Sequence, residues 1–137
     1  MDQRVSIITL VVDDVSASRR FYIDGLGWTP EFEAPGEVLM VRIGERLLLS
    51  LWDRAHATEE IGATTRGGTP PITLAHNVAQ AATVDAVLER ARAAGAAAVS
   101  LAEQRGWGGY SGYFADPDGF RWEVAVNPSP LGHSLLP

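Results

Sequence analysis

A strand, a helix and three further strands occur twice in succession in this 137-residue chain. That repeated order constrains the fold more than any single motif does. In the first copy, residues 5–12 are β-branched and apolar and read as a buried strand. Asp14 then serves as N-cap for a helix over residues 16–26. Its apolar stripe is Ala17, Phe21 and Tyr22, and Gly25 and Gly27 end it. Residues 28–32, 38–43 and 46–52 read as three strands joined by short turns. Residues 54–70 are polar and rich in Gly and Pro, and read as a linker.

The pattern then restarts. Residues 72–78 read as a strand, and Thr83 as the cap of a helix with Val84, Val87, Leu88 and Ala91 on its buried face. Gly95 stops that helix, residues 97–101 form a weak strand, and residues 109–128 supply a closing hairpin. The hairpin turn is Asp116, Pro117, Asp118, Gly119, which is type I chemistry: Asp first, Pro fixing φ, Gly last. After it, Phe120, Trp122, Val124 and Val126 share one face, and Arg121, Glu123 and Ala125 the other. Ile8-Thr9-Leu10 recurs as Ile72-Thr73-Leu74, each time leading into a helix. Neither half can bury a sheet alone, so one domain over residues 1–137 is expected. Its modules span about 5–53 and 71–127 and share an interior.

Composition narrows the functions available. The chain carries 46% apolar and 20% charged residues, which suits a soluble globular protein. Its net charge of −6 disfavours nonspecific binding to nucleic acid or anionic lipid. With no cysteine, disulfides, thiolate catalysis and cysteine metal sites are excluded. The N-terminus lacks the apolar core of a signal peptide, and no apolar run is long enough to span a bilayer. A cytoplasmic protein without a membrane partner is expected.

Two stretches carry a family resemblance. One is the run at residues 10–28, with Phe21-Tyr22 and Leu26-Gly27-Trp28. The other is residues 113–124, with Asp116-Pro117-Asp118-Gly119 and Glu123. Together they resemble the vicinal oxygen chelate superfamily, which includes glyoxalase I, extradiol dioxygenases and bleomycin-resistance proteins. The resemblance spans roughly residues 5–128. It implies an α+β fold in which two βαβββ modules form an incompletely closed barrel around a ligand cavity, commonly as a homodimer. Metal-dependent members place His or Glu at four inward positions, one on the first and one on the last strand of each module. Carried over, these fall on Ile7, Ser50, Thr73 (or Pro71 in the alternative register) and Glu123. Only Glu123 is a strong donor, so no tightly bound metal is expected, and a divalent ion is the lesser alternative.

The expected function is therefore binding of a compact organic molecule, with an aromatic or cationic part, by a protein of the glyoxalase/bleomycin-resistance type. Glu123 is the candidate polar anchor or base. Ser50, Trp52, Thr73, Trp107, Tyr110 and Tyr113 are candidate ligand contacts, since Tyr and Trp join an apolar body to a polar handle. Trp107 and Tyr110 are placed beside Glu123, in a glycine-rich segment able to move over a cavity. Glu123 can alternatively be a surface residue paired with Arg121. His76 lies an odd number of residues from Thr73 and so faces the other side of a regular strand. The alternative function is a lyase, isomerase or dioxygenase-like enzyme with a displaced site built from Glu123, His76 and a hydroxyl. The Asp residues of the turn, and the Gly-Trp-Gly-Gly run at 106–109, carry no catalytic or phosphate-binding signature.

Overall fold

The computed structural model describes residues 1–137, which divide into two compact units, Met1–Arg66 and Gly67–Pro137. The fold class is α+β. Unit 1 contains β1 (Ile7–Val12), a helical segment α1 (Val15–Arg19), β2 (Pro30–Ala34), β3 (Val38–Gly44), β4 (Leu47–Asp53) and α2 (Arg54–Ile61). Its sheet runs β1-β4-β3-β2, with β1 parallel to β4 and the other pairs antiparallel.

Alternation along the strands explains which face is buried. Leu10, Val12, Leu39, Val41, Leu49 and Leu51 point to one side and are almost fully buried. They share a core with Val15, Phe21 and Tyr22. Asp14 caps α1 by accepting from the Ser16 amide at 2.8 Å, as its position in sequence implies. Beyond Arg19 the helix widens into a π-helical turn over Arg20–Gly25, with the Leu26 amide bonding the Phe21 carbonyl. The adjacent Phe21 and Tyr22 are both buried there, packed edge to face with centroids 5.0 Å apart, and Trp28 lies 5.2 Å from Tyr22.

Unit 2 contains β5 (Thr73–Asn77), α3 (Ala81–Ala93), β6 (Ala98–Val99), β7 (Glu103–Gln104), β8 (Tyr110–Ala115), β9 (Arg121–Val126) and α4 (Pro130–Ser134). The sheet runs β5-β9-β8-β6, again with its first and last long strands parallel, and β7 also pairs with β8. α3 packs on β8 and β9 through Val84, Leu88 and Ala91. The turn between β8 and β9 forms as its composition dictates. The Gly119 amide bonds the Asp116 carbonyl at 3.0 Å, and Gly119 takes a φ of 88°, open to glycine without strain. The buried Asp116 carboxylate accepts from the amides of Asp118 at 3.0 Å and Phe120 at 2.9 Å, fixing the turn from inside.

Several expectations need correction. The supposed linker begins with a helix, α2, because Asp53 caps it by accepting from the amides of Ala55 and His56. α3 starts at Ala81 rather than at Thr83: Gln80 is its N-cap position, and the amides of Thr83 and Val84 bond the Gln80 carbonyl. Of the strand expected over residues 97–101 only Ala98–Val99 forms, because the Ser100 hydroxyl takes the Tyr113 amide at 2.9 Å in place of a backbone carbonyl, and a separate short strand, β7, pairs with β8 further on. α4 lies beyond the expected modules, capped by Ser129.

Candidate functional site

The register of the second sheet sets the site. Along β9, Arg121, Glu123 and Ala125 lie opposite Ala115, Tyr113 and Ser111 of β8, and opposite Thr73, Ala75 and Asn77 of β5. These residues share the sheet face opposite the one that carries Trp122, Val124 and Phe114. Glu123 stands near the centre of that row, half-buried. Its Oε1 accepts the Tyr113 phenol at 2.8 Å, so its side-chain partner is Tyr113 rather than the Arg121 of the surface-pair alternative. That hydrogen bond, followed by burial, raises the Tyr113 pKa above the ordinary phenol value and keeps the hydroxyl a donor.

Arg105 braces the other side of Tyr113. Its guanidinium carbon lies 5.5 Å from the ring centroid. Its Nε donates to the Ser111 hydroxyl at 3.0 Å and its Nη2 to the Ser111 carbonyl at 3.1 Å, while Nη1 meets Glu103. Ser111 is fully buried, so the cation is held from below by a fixed partner. Arg105 was not singled out in sequence. The only available signal was its place just before the glycine run, where a short strand, β7, turns back onto β8.

That glycine run is not an open loop. The Arg105 amide bonds the Gly109 carbonyl at 2.8 Å and the Gly108 amide bonds the Arg105 carbonyl at 2.9 Å, closing a tight hairpin tip. Trp107 folds over Gly109: a Cβ on Gly109 would sit 1.7 Å from its ring. Because Gly109, Ser111 and Tyr113 alternate onto one face, the indole lies on the Glu123 side of the sheet, half exposed.

Tyr110 is placed differently from its expected position beside Glu123. It lies opposite Val126 and shares the face of Phe114, and its hydroxyl donates to Asp85 of α3 at 2.9 Å. An odd spacing along β8 separates it from Tyr113. His76 lies opposite Val124, so it too sits on the face away from Glu123. Thr73 lies opposite Arg121, a diagonal neighbour of Glu123 on the same face, and is exposed.

Ser50 and Trp52 belong to unit 1. Both are on β4, on the sheet face opposite Leu49 and Leu51. Ser50 is buried between Thr9 and Met40, and Trp52 lies half-buried between Val11 and Val38. Ile7, two residues before Thr9, lies opposite Leu48 on the same face. Of the four positions carried over from the metal-dependent pattern, Ile7 has no donor, Ser50 and Thr73 have neutral hydroxyls, and Glu123 has one oxygen engaged by Tyr113. No three His, Asp or Glu side chains converge anywhere in the structure. This donor set does not fit a tightly held divalent ion, which needs several anionic or imidazole ligands. Nor is any helix long and apolar enough to cross a membrane.

Comparison with known proteins agrees with this topology. The glyoxalase/bleomycin resistance protein/dioxygenase superfamily model matches residues 4–124. A glyoxalase-related enzyme from Fulvimarina pelagi is 38% identical, with a TM-score of 0.83 over 92% of this chain and 89% of that one. A glyoxalase/bleomycin resistance protein/dioxygenase from Nocardioides is 25% identical, with a TM-score of 0.77 over 94% and 87%. A lactoylglutathione lyase from Agrobacterium tumefaciens, 24% identical with a TM-score of 0.71 over 92% and 95%, shares the fold. No curated protein matches the chain. A family model covering most of the sequence, and solved structures covering nearly all of it, place this chain in the glyoxalase/bleomycin resistance protein/dioxygenase superfamily.

Proposed function

We propose that this protein binds a small organic molecule through the Glu123-bearing face of its second sheet, without the divalent metal used by chelating members of its family. The observation that carries this reading is the Tyr113–Glu123 hydrogen bond, set in a row with Arg105 and Trp107. A carboxylate fixed by a phenol is a directional polar anchor, and an indole beside it offers apolar area. The absence of an anionic or imidazole ligand at Ile7, Ser50 and Thr73 argues against metal chelation as the binding mode. Thr73 enters the proposal as a neighbour of Glu123 on that face, whereas Ser50 and Trp52 lie on the first unit's own sheet. Tyr110, tied to Asp85, is a support for α3 instead. A cytoplasmic homodimer, sequestering its ligand, is the form we propose.

A thermal-shift panel of small aromatic and cationic molecules tests this, because a ligand of the native state raises apparent stability. The expected result is a concentration-dependent rise that Glu123→Gln or Trp107→Ala removes. A rise that survives both substitutions would move the site elsewhere.

A second reading is an enzyme. It is favoured by the same hydrogen bond, which engages one of the two carboxylate oxygens of a candidate base, and by the likeness to the glyoxalase-related enzyme from Fulvimarina pelagi. Hydrogen–deuterium exchange at carbon in a bound probe, lost in Glu123→Gln, would select it over sequestration.

A further inference from the structure

Resting on the proposed small-molecule site, the geometry points to Arg105 as its anion anchor, and so to an aromatic carboxylic acid as the ligand class. Three features of the second unit converge on this. The first is a fixed cation. Two of the three guanidinium nitrogens of Arg105 are tied to the hydroxyl and carbonyl of the fully buried Ser111, and the group is set over the Tyr113 ring. A guanidinium has five N–H donors, and these bonds with the one to Glu103 engage three. A planar fork held this way loses little freedom on meeting a carboxylate.

The second feature is the weak hold of its present anion. Glu103 is 66% exposed while Arg105 is 25% exposed. The cation is anchored and its partner is not, so a ligand carboxylate can take the place of Glu103 as that side chain swings into water. The third is the apolar cover beside the cation. Trp107 is seated on the bare backbone of Gly109, with about half of its surface open. A ring carried by the acid can stack there.

The charges on this face also orient the ligand. Arg105 lies over the Tyr113 ring and Glu123 at its hydroxyl tip, so opposite signs stand at the two sides of one phenol. The acid end belongs at Arg105, and a neutral or hydrogen-donating end belongs toward Glu123. A cationic aromatic is disfavoured beside Arg105.

The test compares indole-3-acetate with indole-3-acetamide and with benzamidine, by NMR titration of the wild-type chain with indole and tyrosine labels. The acid should bind about tenfold or more tightly than its amide, the size expected for one charge-assisted fork, and should shift the Trp107 and Tyr113 signals. Arg105→Gln should reduce that preference to roughly parity. Since Arg105 also braces Ser111, a second variant, Glu103→Gln, leaves the brace in place and should strengthen acid binding by freeing the cation. Equal binding of acid and amide, a preference retained in Arg105→Gln, or weaker acid binding in Glu103→Gln would overturn the assignment. Benzamidine or the amide binding best on this face would also overturn it, while leaving the small-molecule reading intact. No binding by any probe would overturn the assignment; the broader panel and its Glu123→Gln control then decide the general reading separately.

Discussion

The two units of this chain are alike in backbone and unlike in chemistry. Each pairs its first strand in parallel with its last and continues with antiparallel neighbours, and each covers one sheet face with helical residues. Their other faces differ. On the first sheet that face carries Ile7, Thr9, Val11, Phe32, Met40, Arg42, Leu48, Ser50 and Trp52, mostly apolar, with Ile7 and Phe32 exposed. On the second it carries Glu123, Tyr113, Ser111 and Arg121, with Arg105 and Trp107 laid over them. The repeated element order therefore supplies a scaffold twice, and the polar machinery once. A short extra strand, β7, makes the difference, because its hairpin delivers Arg105 and Trp107 to the second face.

If the scaffolds are equivalent, truncating their cores should cost similar amounts. Leu49→Ala in the first unit and Leu88→Ala in the second should each destabilise by about 2–5 kcal/mol in urea unfolding. A loss below about 1 kcal/mol at either site would show that its module is not packed as described. The next effect separates the turns. Asp116→Ala removes a buried acceptor shared by two amides and should cost about 1–3 kcal/mol. A neutral result would mean that Pro117 and Gly119 alone hold the hairpin.

A smaller effect distinguishes the two tyrosines. Tyr113→Phe should cost about 0.5–1.5 kcal/mol and weaken ligand binding, whereas Tyr110→Phe, on the opposite face, should leave binding unchanged. Equal loss of binding in both would break the assignment of faces.

The smallest effect is a pH dependence in the first unit, where Asp53 both caps α2 and bonds His56 Nδ1 at 2.8 Å. The bond raises the His56 pKa above 6.5 and lowers that of Asp53 below 3.8. The His56 contribution is present below its unfolded value near 6.5 and fades as pH rises through the higher folded value. The Asp53 contribution is present above about 3.8 and fades as pH falls through the lower folded value. The stability difference between the wild type and His56→Gln, measured by urea unfolding, should therefore shrink on going from pH 6 to pH 9. A difference that grows over that range would contradict the pairing.

These elements also show what could be read from sequence. The repeated order, the Asp14 cap and the Asp116–Gly119 turn were legible because each depends on local chemistry: alternation, a capping oxygen, and residues suited to a tight turn. The face of Glu123 was legible from the same alternation, as was that of His76. What escaped depended on contacts between distant residues. Arg105 is ordinary in sequence and becomes notable only through Ser111 and Tyr113 across the hairpin. Tyr110 was set beside Glu123 by proximity to the glycine run, and only the β8 register separates them. The α2 helix escaped because its polar composition resembles a linker, while its start is fixed by a capping side chain.

Metal content tests the central claim most directly, because the binding proposal rests on a family fold in which three of the four expected chelating positions here carry Ile7, Ser50 and Thr73. The protein, purified without chelator, is analysed for Zn, Ni, Mn and Fe, then stripped and titrated with Ni²⁺ by calorimetry. The account predicts substoichiometric metal and no saturable binding, with the same thermal stability before and after stripping. One metal ion per chain, rebinding after stripping and lost in Glu123→Gln, would contradict it.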